Sequence, residues 1–161
     1  MNIYISDLNT ICNKSDLLAK LTAPELNKYN SFKREKRANQ FLVAHALKND
    51  IATDFQYTSI SHSDNIVLVA ASNTPIGVDI EKIDTKRDFK SMAKIIGFEN
   101  IKTVTDFYKA FTYYESQYKM RPYTATNKQF YKIDDYIICI ASCTDDILPH
   151  WFGVRKIPEQ I

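Results

Sequence analysis

The stretch IVLVAASNTPIGVDIEKI, residues 66–83, decides the architecture. It holds an apolar strand at 66–71, a turn signal at Ser72-Asn73-Thr74-Pro75 and a second strand at 76–83. The outline returns at 137–157 as IICIASCTDDILPHWFGVRKI: an apolar strand ending in Ala-Ser, a turn, then a strand with Gly-Val inside it. Each copy follows a long helix. Helix, strand, strand, strand, repeated, predicts an α+β fold built by duplication. Its pseudo-twofold halves, roughly 1–84 and 85–161, would each combine a helix with a three-stranded antiparallel sheet within a single domain.

Working outward, residues 2–8 alternate polar and apolar and predict a short strand. Residues 24–50 predict helix, with Thr22 as N-cap and Pro24 in the first turn. Phe32, Ala38, Phe41, Leu42, His45 and Leu47 form its apolar side, and it is either one helix or two with a bend near Ser31. A strand at 57–61 leads into the turn signal Ser63-Asp64-Asn65. Residues 88–97 predict a helix closed by Gly97. Residues 103–120 predict a second long helix striped by Phe107, Phe111, Tyr114 and Tyr118, and strands follow near 129–133, 136–142 and 151–157.

At 161 residues the chain can bury about 70% of its unfolded surface, enough for a real core. The net charge of +2 gives no case for general nucleic-acid binding, which needs a strong basic excess on one face. Positive charge is nevertheless concentrated locally at Lys33, Arg34, Lys36 and Arg37. The three cysteines, Cys12, Cys139 and Cys143, are odd in number and lack CxxC spacing, which predicts reduced thiols in a cytoplasmic protein. Cys139 and Cys143 sit in an apolar run and suit buried packing better than zinc. The opening MNIYISDL shows neither a signal peptide nor a membrane span.

Three short segments carry candidate chemistry. In Ile76-Gly77-Val78-Asp79-Ile80-Glu81, alternation buries Ile76, Val78 and Ile80 and projects Asp79 and Glu81 together on the opposite face. Two close carboxylates repel unless a cation lies between them. Mg2+ fits, since it takes hard oxygen ligands at about 2.1 Å and commonly binds substrate phosphates as well. The alternative is a solvated polar face balanced by Lys82. On the long helix, Glu115 and Lys119 are spaced i,i+4 on one face, either as functional groups or as a surface ion pair. Ser61-His62-Ser63, at a strand end, is placed to bind phosphate or to cap a turn.

The order of these pieces resembles the 4′-phosphopantetheinyl transferases. In that family the pattern runs SHS, then (V/I)G(V/I)D(I)E, then (W/F)(S/T/A)xKE(S/A)xxK. Here it is matched by Ser61-His62-Ser63, by residues 76–81 and by Phe111 to Lys119. SFKREKRANQFLVAHALK, residues 31–48, is similar to the family's basic helix, and the resemblance covers residues 21–120 closely. With that helix and SHS both present, it points to the larger, monomeric, surfactin-synthetase-activator type.

The resemblance implies a reaction: transfer of the phosphopantetheine arm of coenzyme A to a serine of an acyl- or peptidyl-carrier protein, releasing 3′,5′-ADP. It implies Asp79, Glu81 and Glu115 as ligands of Mg2+, with Mn2+ taking the same donors. Glu115 would also be the general base, and Lys119 would meet the pyrophosphate. His62 and Ser61 would contact the nucleotide phosphates, and Arg37 with Lys33 or Lys36 the 3′-phosphate. A relative that binds coenzyme A or a carrier without transfer is the alternative. Departures from the pattern fall on phosphate contacts. Tyr114 stands where the family has Lys, a GKP segment before SHS is missing, His45 stands where short members carry Arg, and the gap from Asp79 to Glu115 is short.

Overall fold

Strand β3 (Ile66–Ser72) is apolar along nearly its whole length because both of its faces are covered. Val67, Val69 and Ala71 meet Val43, Ala44 and Ile51 of helix α3 (Glu35–Ile51). Leu68 and Ala70, on the opposite face by the two-residue period, enter a core shared with a second sheet through Ile76, Val78, Ile80, Ile138 and Ile140. This architecture comes from a computed structural model that describes residues 1–11 and 13–161; Cys12, expected as a reduced thiol, lies outside the described residues.

β3 pairs antiparallel with β1 (Asn2–Asp7) and β2 (Tyr57–Ser63). The first sheet has the order β2-β3-β1-β7, and β7 (His150–Phe152) runs parallel to β1. The second has the order β4-β6-β5-β8, from β4 (Ile76–Lys82), β6 (Tyr136–Ser142), β5 (Asn127–Ile133) and β8 (Glu159–Gln160). The fold is thus α+β, as expected. Its sheets are four-stranded, however, where three strands each were predicted.

The two hairpins pair in matching register. Tyr57 faces Ser72 and Ser63 faces Ile66; Asn127 faces Ser142 and Ile133 faces Tyr136. Both turns pass through an aspartate at positive φ, Asp64 at 52° and Asp134 at 48°. Aspartate tolerates that region better than most residues because its short side chain can bond locally. The Gly-Val match does not survive as structure. Gly77 is inside a strand, whereas Gly153 has φ 75° and ends β7, so the strand expected at 151–157 stops at Phe152. β7 then joins the first sheet, and β4 crosses from its own hairpin to pair with β6.

The helix expected over 24–50 is two helices, α2 (Ala23–Asn30) and α3, interrupted at residues 31–34. Thr22 and Glu25 form a capping box that starts α2. The buried side of α3 carries Ala38, Leu42, Val43, Ala44 and Ala46, while Phe41 and His45 are only half-buried, a rotation from the apolar side expected. A short helix, α1 (Lys14–Leu18), and α2 pack on its outer side, so both flanks of α3 are covered. α4 (Phe89–Ile96) ends at Gly97, at φ 81°. α5 (Val104–Lys119) starts with a Thr103–Asp106 capping box, and Phe107 and Tyr108 press it onto Ile137 of β6. No described helix is long and apolar enough to cross a membrane.

Candidate functional site

The site begins with the close approach of α5 to β4. A Cβ on Gly77 would lie 2.0 Å from the Ser116 carbonyl oxygen, so only glycine lets the helix backbone come so near. Thr112 and Ser116 on the facing side are small and fully buried, and each hydroxyl bonds back to its own helix, at 2.7 Å to the Tyr108 carbonyl and 2.8 Å to the Thr112 carbonyl. The helix runs antiparallel to β4: the Tyr108 hydroxyl receives the Asp84 amide at one end, and Lys119 reaches β4 at the other.

Lys119 donates to Asp79 Oδ1 at 2.8 Å and to the Val78 carbonyl at 3.0 Å. It therefore pairs with Asp79 rather than with Glu115. The Asp79 side chain is 5% exposed and also accepts from the Ser61 hydroxyl at 2.7 Å, again through Oδ1. Its other oxygen, Oδ2, is buried without a hydrogen-bond partner, alone in this among the described residues' side chains. A buried carboxylate oxygen left unpaired is costly.

Glu81 projects beside Asp79 and accepts from the Ser63 hydroxyl at 2.9 Å. Burial pushes its carboxyl up from the ordinary range and the neighbouring Asp79 charge adds to this, against the Ser63 bond and the positive charges of Arg87 and Lys119. Glu115 is half-buried one helical turn before Lys119. Ser116, the residue after Glu115, is the one whose carbonyl meets Gly77, so along the axis Glu115 lies nearer the Gly77 end of β4 than Glu81 does. Among the described residues, no group of three or more His, Cys, Asp or Glu is gathered closely enough to hold a metal ion. The structure thus brings Asp79, Glu81 and Lys119 together and leaves Glu115 on the helix outside that group.

The basic side is built by α3. Arg37 donates to His62 Nε2 at 2.7 Å and to Gln40 Oε1 at 3.1 Å, and Gln40 in turn bonds the Asp64 carbonyl at 2.9 Å. Burial pushes the His62 imidazole down and the Arg37 charge adds to it, so the ring is held toward its neutral form. Arg37 is exposed, and with Nη1 engaged by His62 and Gln40 its guanidinium still has further N–H donors to offer an anion. Lys36 is engaged by Asp64, which also holds Lys82 at 2.7 Å, while Lys33 is exposed. Ser61, expected at the nucleotide, is buried and committed to Asp79 and to the Ile80 amide at 3.3 Å. His45 bonds Glu25 at 2.7 Å and stacks on Phe41, tying α2 to α3. Tyr114 turns to Phe98, with ring centroids 6.1 Å apart.

A groove of about 1050 Å3 lies elsewhere, along the far flank of α5, walled by Phe98, Tyr113, Tyr118 and Tyr123. Compared with known proteins, the chain matches no family model and no curated sequence. Sequence reasoning missed Gly77 as the point of helix contact and Ser59 as a partner of β4. The alternation Ser59, Ser61, Ser63 in a strand was the available signal.

Proposed function

We propose that this chain is a divergent 4′-phosphopantetheinyl transferase, moving the phosphopantetheine arm of coenzyme A to a serine of an acyl- or peptidyl-carrier protein and releasing 3′,5′-ADP. The observation that supports this most is the state of Asp79: buried, with one oxygen held by Lys119 and Ser61 and the other unpartnered. A divalent cation would give Oδ2 a partner, and the all-oxygen donor set suits Mg2+ or Mn2+ over softer metals. Asp79 and Glu81 would hold it from the strand, with Glu115 completing the set from the helix.

Bound there, Mg2+ would offset the negative charge of the pyrophosphate, whose phosphopantetheinyl phosphorus passes to the serine oxygen while 3′,5′-ADP departs. The chain's own groups do the rest. Arg37 and His62 bind the phosphates of coenzyme A, with Lys33 and Lys36 on the same segment adding positive charge. Lys119, released from Asp79, turns to the pyrophosphate. Glu115 takes the proton of the attacking serine hydroxyl, a carboxylate's ordinary task as general base.

A second reading, binding of coenzyme A or a carrier without transfer, draws on the Lys119–Asp79 pair, which neutralises the carboxylate with no cation present. Tyr114, uncharged near neutral pH, also withholds the lysine of the family pattern. Mass spectrometry of apo carrier proteins incubated with this protein, coenzyme A and Mg2+ separates the two. Addition of the phosphopantetheine mass supports transfer. Calorimetric binding of coenzyme A with no addition across a carrier panel, where a known transferase succeeds, supports the second reading and sinks the first.

A further inference from the structure

β2 and β4 are edge strands of different sheets, yet they lie side by side. An edge strand presents unpaired amides, and a buried unpaired amide costs about 1–3 kcal/mol. Here the Val78 amide donates to the Ser59 hydroxyl at 3.1 Å, the Ile80 amide to Ser61 at 3.3 Å and the Lys82 amide to Ser63 at 3.0 Å. The rungs recur every second residue, the period at which a strand returns a side chain to one face. Three hydroxyls thus replace a backbone ladder at the junction of the two sheets.

A serine hydroxyl has one proton and two lone pairs. With a lone pair of Ser61 and Ser63 taken by a β4 amide, the proton is directed onward, from Ser61 to Asp79 Oδ1 and from Ser63 to Glu81 Oε2. Ser59 makes the same amide rung but touches no carboxylate. We propose that the serine ladder joins the two sheets and that Ser61 and Ser63 are positioning residues. Each holds one oxygen of its carboxylate so that the other faces a divalent cation. The second half of this rests on the transferase reading; the ladder itself does not.

Two readouts on the full chain test it. Amide hydrogen exchange in Ser59→Ala, Ser61→Ala and Ser63→Ala should accelerate at Val78, Ile80 and Lys82 respectively; unchanged exchange at all three overturns the ladder. Calorimetric Mn2+ affinity, measured with coenzyme A present, should fall about tenfold or more in Ser61→Ala and Ser63→Ala, the range for groups that orient metal ligands. It should stay near the parent value in Ser59→Ala and recover in Ser63→Thr, which keeps the hydroxyl. Ser63 is half-buried, so its pair of variants carries the test if Ser61→Ala fails to fold. Equal loss in all three alanine variants, or a parent that binds Mn2+ with Ser63→Ala unimpaired, overturns the positioning role alone. A parent that takes up no Mn2+ overturns the transferase reading and the positioning role with it, while the exchange result still decides the ladder.

Discussion

Lys119 Nζ lies 2.8 Å from Asp79 Oδ1, and this ion pair ties the last turn of α5 to the edge strand of the second sheet while Asp79 Oδ2 stays unpartnered. Removing either partner strands the other. A fully buried pair broken from one side costs about 3–5 kcal/mol. Lys119 keeps 27% of its side chain exposed, so we expect about 2–3 kcal/mol for Lys119→Met. In a double-mutant cycle with Asp79→Asn, urea unfolding should give a coupling of about 1–3 kcal/mol. Additive losses would mean that the pair carries no energy of its own.

Gly77→Ala tests how the site is assembled. The new methyl would meet the Ser116 carbonyl at 2.0 Å and Met120 Cγ at 2.8 Å, and a backbone oxygen cannot swing aside. The helix must lift from β4, at a cost of about 1–3 kcal/mol or more for overpacking. Thermal unfolding should show the loss, and exchange of the α5 amides should rise. A variant as stable as the parent would contradict the packing described here.

Acid should destabilise the fold through two carboxylates far from the proposed chemistry. Burial alone would raise the Glu25 carboxyl, but Lys48, the Thr22 amide, Asn49 and His45 outweigh it and hold it well below the usual range. Lys36 and Lys82 hold Asp64 at about 2. Both folded values lie under the unfolded values near 4, so their stabilisation is complete above about pH 5 and is lost as pH falls toward 2. Unfolding free energy should decline across that window, and less steeply in Glu25→Gln. A Glu25→Gln curve parallel to the parent's would refute the assignment.

The elements that were legible in the sequence are those decided by neighbours along the chain. Thr22 with Glu25, Thr103 with Asp106 and Gly97 mark helix ends through local bonds, and the apolar runs of β3 and β6 announce covered strands. What escaped depends on distant partners. Nothing near Trp151 says that β7 will lie parallel to β1, and nothing in residues 76–82 says that β4 will leave its hairpin for β6. The rotation of α3 was missed because α1 and α2 cover its second flank. At the site, Asp79, Glu81 and Lys119 were legible as chemistry-bearing types, but the pairing of Lys119 with Asp79 is set by the Gly77–Ser116 contact. The serine rungs left only the alternation Ser59, Ser61, Ser63, which carries no hydrophobic signal of what that face meets.

The most direct test is a crystal of this protein grown with coenzyme A and Mn2+, read by anomalous scattering. A single strong peak is expected at about 2.2 Å from oxygens of Asp79 and Glu81, with Glu115 turned to it and Lys119 moved from Asp79 to the pyrophosphate. Bound coenzyme A with no peak beside Asp79, and Lys119 still paired with that carboxylate, would contradict it.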